Sequence, residues 1–260
     1  MASVFLGSDS ESRDYAPLLR WLLLWVIIVF GALVLWYFGL VDSVLRSDHT
    51  RISLVIVAIF IIGSLHCLYQ TVVVSRELIT ARKVRDAIIS SGGSALTIRE
   101  KTIQTIEGKT LEPGVVTTHI GNLMTKARNL AGNTHLDQTV LLRSLADRLR
   151  SREKLGLFVA ESLLRLALLG TAVGFILMLI PISGLNAFDA DSLRQTLSGM
   201  TGGMAVALNV TVTGIGTALL LKFQYYLLDA AIADLFREVT EVTEVHVIPA
   251  LEPLADAGRA

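Results

Sequence analysis

Four stretches of this chain are long and apolar enough to cross a lipid bilayer, and that leaves few ways for it to fold. In hydrocarbon every backbone N–H and C=O must find a partner inside the protein, which helices achieve within a single segment. Residues 18–41 form a block of 24, interrupted only by Arg20, whose long stem can carry its charge to the headgroups. Residues 52–74 form a block of 23, with His66, Cys67 and Gln70 in its second half. Residues 166–182 supply 17 more, extended backwards by Leu157 to Leu164, and residues 200–221 make the fourth. At about 1.5 Å per helical residue, each can cross a core of roughly 30 Å. The expected fold class is an all-α integral membrane protein with four transmembrane helices. The first block is too long for a cleaved leader and follows Asp9, Glu11 and Asp14, so it is expected to be retained.

Charge sets the expected topology. The chain balances 23 basic against 23 acidic side chains, so nothing in its net charge favours nucleic acid. Residues 76–154 alone hold 14 Lys/Arg and 8 Asp/Glu, whereas the connections around residues 42–51 and 184–198 hold few basic groups. Basic residues beside span ends favour the cytoplasmic side. Both termini and the long connection are therefore expected inside, with the two short loops outside.

The expected organisation is a cytoplasmic N-terminus (1–17), helices 1 and 2 (18–75), a helical cytoplasmic domain (76–156), helices 3 and 4 (157–228) and a cytoplasmic amphipathic helix with tail (229–260). Within the long connection, helical stretches are expected over 76–89, 96–107 and 115–130, broken by Ser90-Ser91-Gly92-Gly93-Ser94 and Pro113-Gly114. From Leu136 the apolar residues keep helical spacing with no breaker before the third span, so one helix runs on into the membrane. After Lys222, the series Tyr225, Leu228, Ile232, Leu235, Val239 and Val242 extends the fourth span to about Val247, where Pro249 and Pro253 should end it.

The last two spans carry hydroxyls and glycines where a plain anchor carries leucine. Gly170 and Gly174 are one turn apart, as are Gly199 and Gly203, and Gly214 follows further along the fourth span. Such spacing lets backbones approach closely in lipid, either within the chain or between copies. Thr171, Thr211, Asn209 and Thr213 place hydrogen-bonding groups at bilayer depth and are the candidate lining of a polar pathway. Asn209 and Thr213 share a helix face, while Thr211 lies roughly 160° from Thr213. A threonine can satisfy its hydroxyl on its own helix; an asparagine wants a second partner. His66 and Gln70, also one turn apart, suit a bond to a neighbouring helix or a proton relay. Glu161 and Arg165 form an i,i+4 pair at the expected cytoplasmic mouth of the third span, either a helix-end ion pair or a charged vestibule.

Enzyme signatures are missing: there is no phosphate-binding Gly-Lys-Ser/Thr loop and no His-Glu-x-x-His. With Cys67 as its one cysteine, the chain has no cysteine-based zinc site and no intrachain disulfide. No catalytic residue, metal site or cofactor is expected.

Leu168-Leu169-Gly170-Thr171-Ala172-Val173-Gly174 resembles the Leu-x-Gly-Thr-x-x-Gly of the penultimate membrane helix in the MotA/TolQ/ExbB family of ion-channel subunits. Ala207-Leu208-Asn209-Val210-Thr211-Val212-Thr213-Gly214 is similar to the Ala-Leu-x-x-Thr-x-x-Gly of that family's last helix. The resemblance covers about residues 155–240, and the two early spans match the four-span MotA layout rather than the three-span one. It implies a bacterial inner-membrane homopentamer around a dimer of a single-span MotB/TolR/ExbD-like partner whose helix carries an ionisable aspartate. It also implies that Thr171 and Thr211 face the pore. Two positions depart from TolQ and ExbB: Val206 stands where they keep a glutamate, and Leu220 where they tend to keep a proline.

The leading expectation is a pore-ring subunit of an ion-driven, proton-driven by preference, channel or motor complex doing mechanical work on a partner. A non-conducting membrane scaffold and a small secondary transporter using His66 and Gln70 are the alternatives.

Overall fold

The computed structural model describes residues 16–39, 51–90, 96–99, 102–105, 113–129, 137–183 and 190–251. The expected tail beyond Val247 lies mostly outside the described residues, as do most of the N-terminal segment and the connections around residues 40–50 and 184–189. Among the described residues there are five α-helices: α1 (Ala16–Tyr37), α2 (Ile52–Ser90), α3 (Val115–Asn129), α4 (Thr139–Ser183) and α5 (Ala190–Val242). Four of them are long and apolar enough to cross a membrane. The chain is a multi-pass, all-α membrane protein, and its described residues depart from helix in one small hairpin.

The hairpin corrects the helix expected over residues 96–107. Strands β1 (Leu96–Arg99) and β2 (Thr102–Thr105) form a two-stranded antiparallel hairpin, pairing Leu96 with Thr105 and Ile98 with Ile103. The physical reason is local. Leu-Thr-Ile-Arg and Thr-Ile-Gln-Thr alternate apolar with polar and are rich in β-branched residues, which lose rotamer freedom in a helix and fit a pleated ladder.

A second correction concerns Pro249. The chain passes through a π-helical turn at Thr243–Val247 and stays helical to Leu251, with Ile248 N–H bonded to Thr243 O. Proline in a helix lacks an N–H and crowds the carbonyl four residues back. A widened i→i−5 turn just ahead of Pro249 relieves both demands, so the helix passes through it.

The described residues divide into two compact units. The first holds Arg20–Tyr69 and Lys154–Leu227, and so contains the channel-type motifs. Its α4–α5 seam is antiparallel and very close. A methyl group at Gly174 would fall 2.6 Å from Ala207 Cβ and 2.7 Å from its backbone; one at Gly203 would fall 2.4 Å from Met178 N. At Gly170 it would meet Val210 at 2.1 Å, and at Gly214 Ala167 at 2.3 Å. The glycines thus face a neighbouring helix of the same chain. Lipid offers no hydrophobic drive between helices, so this backbone contact is what holds the pair.

The second unit holds Gln70–Glu153 and the chain from Leu228 onward. Its buried residues recur every three or four positions: Val74, Leu78, Ala81, Val84 and Ile88 on α2; Val116, Ile120 and Leu123 on α3; Leu228, Ile232, Leu235, Val239 and Val242 on α5. That is the helical period of a packed bundle. Polar groups fix the ends. Glu77 accepts a hydrogen bond from Val115 N at 2.8 Å, at the N-terminus of α3 where backbone donors lack helical partners. Asp137 does the same for α4, accepting from Thr139 N at 2.8 Å. Arg85 pairs with the mostly buried Glu238.

Candidate functional site

The seam fixes where each candidate residue lies. Ala167 meets Gly214, Gly170 meets Val210, Gly174 meets Ala207 and Met178 meets Gly203, a regular antiparallel register. Continuing it sets Thr171 level with Thr211. α2 then defines the sides of the pair: its Gly63 is beside Leu221 and Val159, its Ser64 Oγ donates to Gln224 Oε1 at 2.6 Å, and its Ile56 approaches Gly214. At about 100° per residue, Thr171 and Thr211 both fall on the flank of the seam turned away from α2. Each is partly exposed there. Their hydroxyls donate to Leu168 O at 2.6 Å and Ala207 O at 2.9 Å, so each is satisfied inside its own helix. The lone pairs on each oxygen remain able to accept.

The structure does not bring Asn209 and Thr213 to that flank. Both stand roughly 160° round α5 from Thr211, and both are partly exposed. Val206, the position where TolQ and ExbB keep a glutamate, is 2% exposed. A carboxylate there would be buried in an apolar setting with a heavy desolvation cost. Glu161 and Arg165 meet at 3.7 Å with side chains 60% and 70% exposed, a surface pair of the kind that contributes only about 0.3–0.5 kcal/mol.

His66 has a structural partner. Its Nδ1 is 2.8 Å from Tyr225 Oη, and the tyrosine hydroxyl donates to Gly63 O at 3.3 Å. The tyrosine ring packs against α4 at Gly156, where an added methyl would come within 1.9 Å of Cζ. One histidine–tyrosine contact thus ties α2, α4 and α5 together. His66→Phe is expected to cost about 1–2 kcal/mol in unfolding free energy by leaving a buried phenol short of one bond. A thermal melt of the variant beside the wild type checks this; an unchanged melting temperature would show that the contact contributes nothing.

Sequence reasoning missed a polar cluster in the second unit. His119, buried on α3, lies 3.5 Å from Gln138 Oε1, whose amide nitrogen donates to Glu244 Oε2 at 2.5 Å. Burial lowers the pKa of His119, opposed by the Gln138 contact. Glu77, His119, Ser144 and Arg148 also line a cavity of about 320 Å³. The π turn that presents Glu244 has no signature that spacing alone reveals. Among the described residues no cluster of three or more His, Cys, Asp or Glu could hold a metal ion.

No curated protein and no solved structure gives a significant match to the chain. A family model does, and the stretch it covers includes both threonines, the glycine seam and the α4–α5 register. That family is one of channels rather than enzymes. Residues 120–241 of this chain match the model of the MotA/TolQ/ExbB proton channel family.

Proposed function

We propose that this chain is the pore-ring subunit of an ion-motive-force-driven complex, in which proton flow is converted into mechanical work on a partner. The observation that carries the reading is the pairing of Thr171 with Thr211, level with each other on one flank of an uncharged helix pair. Five copies, each turning that flank inward, make a neutral ring with hydroxyls at one depth. A charged side chain at bilayer depth costs at least ~2.5 kcal/mol, so a ring without one leaves titration to an aspartate on a single-span partner dimer held inside. Moving one charge through 100 mV releases about 2.3 kcal/mol, and a few ions suffice for a mechanical step.

In this reading the chain sits in a bacterial inner membrane with both termini cytoplasmic. Residues 157–228 form the channel helices, residues 18–75 brace them from outside, and residues 76–156 and 229–260 form the cytoplasmic part. The internal bonds of both threonine hydroxyls favour one competing reading, a non-conducting scaffold with the same fold.

The test is co-expression with a single-span, aspartate-bearing partner. Native mass spectrometry should give five copies of this chain to two of the partner, with output lost when the partner's aspartate becomes asparagine. A ring of another size, or one that fills without a partner, refutes the assembly. A correct assembly with no ion-dependent output supports the scaffold instead.

A further inference from the structure

The cavity of about 320 Å³ lies wholly within the second unit, with Glu77 of α2, His119 of α3 and Arg148 of α4 in its walls. Its size is at the small end of ligand pockets. α3 and α4 run antiparallel along it. Lys126, near the end of α3, donates to Asp137 O just ahead of α4. Arg148 lies 11 residues after Asp137, and Val115 lies 11 before Lys126, so the guanidinium comes level with the start of α3. That is where Glu77 sits, accepting from Val115 N at 2.8 Å.

Both charges are built into the walls. A methyl at Gly114 would fall 3.0 Å from Glu77 Oε2, so the carboxylate rests directly against the chain at that glycine. Arg148 is exposed at the mouth, and the ion pairs among the described residues join other cations to carboxylates and leave it out. His119 adds a third polar group and is 3% exposed. Gln138 Nε2 donates to Glu244, which turns Gln138 Oε1 toward the imidazole, and Nε2–H of a neutral ring donates to that oxygen across a long 3.5 Å. Nδ1 is then an acceptor. Burial lowers the pKa of His119 and favours this neutral form, against the opposing Gln138 contact. From the charged end, Leu141, Leu145 and Leu149 form an apolar stripe along the α4 wall.

We propose that this cavity binds a small zwitterion with an apolar body, an aliphatic α-amino acid. Its carboxylate pairs with Arg148, its ammonium donates to Glu77 and His119, and its side chain runs along the three leucines. The charges select for both ends at once. A simple anion of this size meets the Glu77 carboxylate, and a simple cation meets the Arg148 guanidinium; a molecule carrying both signs satisfies each wall. Binding joins α2, α3 and α4 through one ligand.

The test is thermal unfolding and isothermal titration calorimetry of the full-length purified protein, with L-leucine as the probe. Leucine at ten times its dissociation constant, up to about 10 mM, should raise the melting temperature by roughly 3–6 °C. Isocaproate, which lacks the ammonium, and isoamylamine, which lacks the carboxylate, should each bind at least about tenfold more weakly, as should leucine to R148Q or E77Q. Glutamine at position 77 keeps an acceptor for Val115 N, and Arg148 is exposed, so both variants should fold; if E77Q does not, R148Q decides. No shift with leucine overturns the proposal, as does equal binding of either analogue or unchanged affinity in R148Q. The readout is binding, so its failure leaves the proposed channel untouched, and loss of conduction leaves this site untouched.

Discussion

Replacing Gly174 or Gly203 by alanine is expected to destabilise the protein by about 1–3 kcal/mol, a large effect for the addition of one methyl group. At both positions the methyl would meet backbone atoms, Ala207 Cα and N for Gly174 and Met178 N and Cα for Gly203, all within 2.7 Å. A flexible side chain could swing aside, but a helix backbone cannot, so the two helices must separate along the seam. Separation forfeits van der Waals contact, which lipid does not return. Gly31 and Gly216 supply the contrast, because a methyl at either meets nothing within 4 Å. There alanine should be neutral or stabilising by up to ~1 kcal/mol, since it is the better helix former. Unfolding in sodium dodecyl sulfate measures all four variants on one scale. If Gly174→Ala and Gly216→Ala shifted the curve equally, the close seam would be wrong.

Much of the fold is legible in the sequence because the relevant signals are local. The four apolar blocks, the unbroken periodicity from Leu136 into the third span and the glycine spacing each follow from one segment. The hairpin at residues 96–105 was legible too, but its alternation of threonine with isoleucine competes with a helical reading in a chain otherwise built of helices. The site is harder. Periodicity separates Thr211 from Asn209 and Thr213, yet only the packing of α2 against Leu221 and Gln224 says which flank is which. Tyr225 reads as one more apolar position in a helical series. Its role needs the absent side chain at Gly156, a vacancy on another helix.

Thr171→Val and Thr211→Val should each abolish ion-dependent output, a loss of two orders of magnitude or more, while leaving the protein assembled and about as stable as before. Valine matches threonine in shape, so the seam is undisturbed. The hydroxyls donate only to carbonyls of their own helices, Leu168 O and Ala207 O, which already take part in the helical ladder. Deleting such a bond changes stability by less than about 1 kcal/mol. In the proposed ring, what disappears is the spare acceptor each oxygen would turn toward an ion, a water or the partner's aspartate, and in a water-poor pore nothing would replace it. Serine keeps the hydroxyl, so Thr171→Ser and Thr211→Ser should restore much of the output. Asn209→Leu and Thr213→Val act on the other side of α5 and should leave most of it intact. The four positions thus divide two against two, a pattern that neither general loss of polarity nor general loss of stability produces. Full activity in both threonine-to-valine variants would remove the pore from this flank, and loss in Asn209→Leu alone would move it to the opposite one.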